Sequence, residues 1–175
     1  TAMEGHPDNV APALYGGLCA SVVREDGRVL CVNYPVSSGV KFTALIPDFP
    51  LSTAEARRAL PKAVPLKDVV FNISRTALLM RGMEAGDYDL LSIALDDRLH
   101  MPYRKGLIHD FDFVRQQSLA AGARALVISG AGPTLLALHP DPEAFAPQIE
   151  ARLAALSHKW RAVPLRVDTE GTVEE

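Results

Sequence analysis

The stretch Ala125-Leu126-Val127-Ile128-Ser129-Gly130-Ala131-Gly132-Pro133-Thr134-Leu135-Leu136-Ala137-Leu138-His139 is two aliphatic runs broken by a glycine loop. Runs this short, bounded by turn residues, predict strands over 125–129 and 134–139 rather than a buried helix. Glycines at the junction let the backbone pass close to a ligand, and a run of N–H groups there can form an anion nest. The same residues would also make a plain hairpin turn, so the loop alone assigns no function.

Outward from this pair, residues 111–121 are amphipathic and stop at Gly122, 142–156 read as a helix, and 160–167 as a final strand. Upstream, Phe42 to Ile46 is an apolar run closed by Pro47, a buried strand. Ser52-Thr53-Ala54-Glu55 fits a capping box, so a helix should start there and run to about residue 60. Residues 66–83 carry Val69, Val70, Ile73, Ala77 and Met80 at helical spacing and end at Gly82 or Gly86. A short helix over 87–95 is followed by a loop holding His100 and Arg104. With the extra helices set aside, the order is strand, helix, strand, strand, helix, strand. That is the split β-α-β order of a ferredoxin-like α+β sandwich with a helical insertion, its helices mainly on one face.

The first 40 residues are different. Residues 6–16 read as a short helix, and 18–23 and 29–34 as a hairpin around Glu25-Asp26-Gly27. A linker follows over 35–40. The hairpin register puts Cys19 near Asn33, so the sulfurs of Cys19 and Cys31, the two cysteines of the chain, should not face each other. Both are expected to be free thiols in a reducing cytoplasm.

Composition narrows the function. The chain has 175 residues, 48% hydrophobic and 22% charged, enough for a real core. A net charge of −3 speaks against nucleic acid, which needs a concentrated basic face. No apolar run reaches membrane-spanning length, and no basic-then-apolar leader opens the chain, so no membrane partner is expected.

The densest chemistry lies in Glu4-Gly5-His6-Pro7-Asp8-Asn9-Val10-Ala11-Pro12-Ala13-Leu14-Tyr15-Gly16-Gly17. His6, Asp8 and Asn9 together can accept a proton, hold a positive group and hydrogen-bond a hydroxyl. Pro7 pre-sets a first helical turn and Gly16-Gly17 stops the helix. Simple capping by Asp8 or Asn9 is the plainer reading of the same residues.

This run resembles the second half of the homoserine kinases, a branch of the GHMP small-molecule kinase family. Four other segments resemble the family in order: Thr53-Ala54-Glu55-Ala56-Arg57, Pro61-Lys62-Ala63-Val64, Met101-Pro102-Tyr103-Arg104 leading to Leu107-Ile108, and Ile128-Ser129-Gly130-Ala131-Gly132-Pro133-Thr134. The likeness runs from about residue 4 to 169. It implies a GHMP C-terminal domain over 39–175, preceded over 1–38 by the helix and hairpin that end the N-terminal domain. It implies transfer of a phosphoryl group from ATP, with Mg²⁺, to the hydroxyl of L-homoserine in threonine biosynthesis. Arg57 and Arg104 would hold the substrate carboxylate, a task that suits the bidentate guanidinium fork, with Thr53 near them. His6, Asp8 and Asn9 would line the substrate, Asn9 at the reacting hydroxyl and Asp8 at the amine or the network beside it, these last two being the catalytic candidates. Ser129, Gly130, Ala131 and Gly132 would border the site. Arg58, Arg75 and Arg81 are read as surface.

The family's phosphate loop, of the type Pro-x3-Gly-Leu-Gly-Ser-Ser-Ala, is not in these residues, nor is its acidic Mg²⁺ ligand; no metal site is expected in this chain. The chain opens Thr1-Ala2-Met3-Glu4 directly before the motif. It is therefore expected to be a fragment, inactive alone, with an exposed hairpin that favours a homodimer. The alternatives are another GHMP small-molecule kinase and a non-catalytic ferredoxin-like module that binds an amino acid.

Overall fold

The computed structural model describes residues 7–173. A helix α1 (Val10–Tyr15) opens it, and β1 (Leu18–Val23) and β2 (Val29–Tyr34) form an antiparallel two-stranded sheet. Gly27 takes the positive φ of 77° that the turn requires, and Arg24 N–H donates to the Arg28 carbonyl across it. The register is the expected one: Cys19 pairs with Asn33, and Cys31 with Ser21. The two thiols are free and diagonal on one sheet face. Partial burial, and then the neighbouring Cys31, push the Cys19 thiol above its ordinary pKa.

β3 (Phe42–Pro47) begins the main sheet. It leads through α2 (Thr53–Arg58), α3 (Leu66–Ala85), α4 (Tyr88–Ala94), α5 (Met101–Arg104), a 3-10 turn at Lys105–Leu107 and α6 (Phe111–Ala120) to β4 (Ala125–Ile128). β5 (Leu135–Leu138), α7 (Pro142–Leu153) and β6 (Trp160–Leu165) complete the chain. The four strands lie in the order β4-β5-β3-β6 with every neighbour antiparallel. Numbered within the sheet this is 2-3-1-4, the split β-α-β arrangement of the ferredoxin-like sandwich. Pro164 sits on the edge strand β6, where its missing N–H costs least.

Alternation along the strands assigns the two faces. Leu45, Leu126, Leu135 and Ala137 point into a core with Phe111 and Val114 of α6 and Phe145, Ile149 and Leu153 of α7. Phe42, Ala125 and Leu138 point the other way, onto Met83 of α3 and Leu91 of α4. The sheet is therefore covered on both faces, with α3 and α4 over one end, rather than mainly on one. Leu135-Leu136-Ala137-Leu138 shows why: an unbroken apolar strand suits burial on both sides.

The helix ends follow local chemistry. The Ser52 hydroxyl accepts the Glu55 N–H at 3.1 Å, closing the first half of the capping box of α2. Gly86, in the left-handed conformation, ends α3, and the Asp87 carboxylate then caps α4 by accepting the Leu90 N–H. Tail and head of the chain also meet. Gly17 N–H donates to the Asp168 carbonyl, and Thr172 N–H to that of Leu14.

Candidate active site

Arg104 ends α5, and its guanidinium is half-buried. Nε–H donates to the Ala56 carbonyl of α2 at 3.3 Å, and Nη1–H to the Gly130 carbonyl at 3.0 Å. One side chain thus ties together the helix that carries Thr53 and Arg57 and the glycine loop. The sequence reading placed Arg104 in a loop. The structure puts it on a four-residue helix that opens at Met101-Pro102, proline being well tolerated in a first turn.

Arg57 follows the fully buried Ala56, and its own side chain is exposed. Among the described residues it makes no hydrogen bond or ion pair, so its charge is available to a ligand. Ser52 takes the cap, which leaves the exposed Thr53 hydroxyl, at the first helical position, without a hydrogen bond among the described residues. Arg58 is exposed beside it.

In the loop, Gly130 and Gly132 have φ of +57° and +86°. A side chain at Gly132 would meet Leu51, Ile108 and Ile128 at 3.2–3.4 Å, so the loop lies against the residue that leads into α2. Gly132 N–H donates back to the Ser129 carbonyl, and the Ser129 N–H to that of Thr134. The Gly130 and Ala131 amides make no hydrogen bond among the described residues, which leaves a pair of donors at the loop tip.

Asp8 and Asn9 lie exposed before α1. The Asp8 carboxylate accepts the Asn9 N–H at 3.1 Å, and neither side chain caps the helix. Neither makes a hydrogen bond to α2, α5 or the glycine loop. His6 lies outside the described residues.

Two residues that the sequence did not single out, Asp97 and Asn72, hold this corner in place. The Asp97 carboxylate accepts Asn72 Nδ2–H at 2.7 Å and the N–H groups of Leu99, His100 and Met101. Partial burial opposes its ionisation. The hydrogen bonds, from Met101 first and then Asn72, Leu99 and His100, outweigh it and hold its pKa below the usual carboxylate range. The Asn72 carboxamide oxygen accepts the Arg98 N–H at 3.0 Å, which clamps the 97–98 segment to α3. Arg75, read as surface, is half-buried instead: it donates to the Phe71 and Ile93 carbonyls and lies 3.2 Å from the Phe71 ring centroid. A cavity of about 430 Å³ lies beside this corner, with Asn72, Asp97, Arg104 and Gly130 in its wall.

A basic edge, a glycine loop and a helix start converge here, a set suited to holding an anion. Among the described residues no three His, Cys, Asp or Glu side chains gather as metal ligands, and no helix is long and apolar enough to cross a membrane.

Residues 79–157, from α3 through α7, match the family described as GHMP kinases C terminal. Over those residues the chain carries a GHMP kinase C-terminal domain. It is 42% identical over 172 residues to a homoserine kinase of Clostridium botulinum, covering 98% of this chain and 58% of that protein. It is 44% identical to a homoserine kinase of Caldicellulosiruptor saccharolyticus, covering 97% of this chain and 56% of that one. The crystal structure of homoserine kinase from Cytophaga hutchinsonii superposes with a TM-score of 0.84 at 31% identity, covering 95% of this chain and 53% of that one. The chain thus spans somewhat more than half the length of the relatives it matches.

Proposed function

We propose that this chain is the C-terminal part of a cytoplasmic, ATP-dependent homoserine kinase, which phosphorylates the L-homoserine hydroxyl in threonine biosynthesis. Residues 39–175 are its GHMP C-terminal domain, and residues 1–38 belong with the preceding domain. The observation that carries the reading is the Arg104 fork, held between the Ala56 carbonyl and the Gly130 carbonyl. It sets a cation beside the start of Arg57 and next to two unused loop amides. The names of the relatives point to homoserine, and its carboxylate is the group that a pair of arginines suits.

In this reading Arg57 and Arg104 bind the carboxylate, and Thr53 hydrogen-bonds nearby. His6 and Asp8 hold the amine side. Asn9 orients the hydroxyl, with Asp8 and Asn9 closest to the reacting atoms. Ser129, Gly130, Ala131 and Gly132 close one wall and offer amides to the phosphates. Phosphoryl transfer of this kind runs on positioning and charge neutralisation more than on a strong base. ATP with Mg²⁺ supplies the phosphoryl group. Guanidinium and backbone N–H groups dominate this corner, and such hydrogen-bond donors do not fit a Mg²⁺ ion, which needs oxygen ligands.

The test is formation of phosphohomoserine by the longer polypeptide whose reading frame contains this chain, with mevalonate as the control substrate. Use of L-homoserine alone is expected, and use of mevalonate alone would overturn the reading. The 175-residue chain by itself should form no product, because no run in it has the family's phosphate loop. It should also bind homoserine weakly and self-associate through β1 and β2.

A further inference from the structure

Between α4 and α5 a single carboxylate gathers four donors. One Asp97 oxygen accepts from Asn72 Nδ2–H and the Leu99 N–H, the other from the N–H groups of His100 and Met101. The last two amides open α5, a helix whose own N-cap residue, His100, makes no side-chain cap. Asp97 therefore caps α5 from outside the usual capping spacing. Asn72 belongs to the 20-residue helix α3, so the carboxylate is fixed to the longest rigid element of the molecule. One turn beyond the capped amides stands Arg104, whose guanidinium meets Ala56 and Gly130.

We propose that Asp97, anchored by Asn72, is a positioning residue that sets α5 so that the Arg104 guanidinium faces the site between α2 and the glycine loop. Its consequence for catalysis rests on the homoserine kinase reading; the positioning itself does not. A four-residue helix cannot hold an orientation by its own hydrogen bonds, since nucleation is costly and only packing and caps fix it. An aspartate can accept on both oxygens at once. An asparagine there would accept on one and turn an NH₂ group toward backbone donors.

Two experiments test this. The first uses the 175-residue chain and reads hydrogen exchange of arginine Nε–H groups by NMR. Asp97→Asn and, separately, Asn72→Ala should each cost the Arg104 Nε–H at least about tenfold in protection, because its bond to Ala56 depends on the pose of α5. The Arg75 Nε–H, bonded to Ile93, should stay within about twofold and serves as the control for general loosening. Unchanged Arg104 protection in both variants overturns the proposal, as does equal loss at Arg75.

The second uses the longer polypeptide. Asp97→Asn should raise the homoserine KM about tenfold with kcat within about twofold, the signature of lost uniform binding. In an Arg104→Ala background it should add nothing, since the effect runs through that side chain. Additive effects, or a fall in kcat alone, contradict the proposal. If the wild type does not use homoserine at all, the functional reading fails, and the exchange experiment alone decides the positioning.

Discussion

Two sheets in one chain use the same aliphatic residues and meet opposite surroundings. In β3 and β5, Leu45, Leu135 and Ala137 are fully buried between helices. In β1 and β2, Val22 is 57% exposed and Val23, Val29, Leu30 and Val32 are exposed with it. Along α3 the pattern repeats, with Ile73 66% exposed on the same helix that buries Met83. Burying apolar area is the main favourable term in folding, so the four-stranded unit holds itself together while the hairpin gains little from its own side chains. The candidate site follows that division. Arg57, Arg104 and the glycine loop stand on the packed unit, whereas Asp8 and Asn9 stand on the α1 segment, beside the weakly buried hairpin.

The largest effect that can break this contrast is on stability. Phe145→Ala, at a fully buried position, should cost about 3–5 kcal/mol and Leu45→Ala about 2–5 kcal/mol. In urea titrations dilute enough to keep the chain monomeric, Val22→Ala should cost less than about 0.5 kcal/mol. Comparable losses at Phe145 and Val22 would mean that the hairpin is buried against something, for instance a second copy. Sedimentation over a range of concentrations separates that case, since a Val22→Lys, Val32→Lys double variant should then shift the chain to monomer.

A smaller effect sharpens the helical side. Arg75→Ala should lower stability by about 1–2 kcal/mol through two lost carbonyl contacts, and should leave the homoserine KM of the longer polypeptide unchanged. Arg58→Ala should change neither, as expected of an exposed residue with no partner among the described residues.

The smallest effect is pH-dependent. The folded-state pKa of Asp97 lies below its unfolded value of about 3.9. Its contribution to stability is thus complete above that value and is lost as pH falls through the folded-state value. Denaturant midpoints followed from pH 6 to pH 2 should fall less steeply for Asp97→Asn than for the wild type. Parallel curves would show that the four donors do not lower the carboxylate's pKa in the folded state.

Much of the architecture could be read from the sequence because local rules decided it. Asp26-Gly27 fixed the hairpin and with it the pairing of Cys19 with Asn33. Ser52 capped α2, and Gly86 stopped α3. What escaped depended on long-range contacts. Asn72 meets Asp97 across 25 residues, and no periodicity marks that pair. Helix α5 was missed because its cap comes from Asp97, too far upstream for a capping-box pattern. The second helical layer was signalled after all, by the unbroken apolar runs of β4 and β5, which suit burial on both faces. The two candidate arginines, Arg57 and Arg104, came from motif likeness. Their chemistry alone could not separate Arg57 from its neighbour Arg58.

Kinetics can make that separation. Steady-state kinetics of the longer polypeptide with L-homoserine should show Arg57→Ala and Arg104→Ala each losing about 2–4 kcal/mol in kcat/KM, the size of a buried charge-assisted contact. Arg58→Ala should stay within about twofold of the wild type. Equal losses at Arg57, Arg58 and Arg104 would contradict the claim that Arg104, the start of α2 and the glycine loop form the acceptor's carboxylate site.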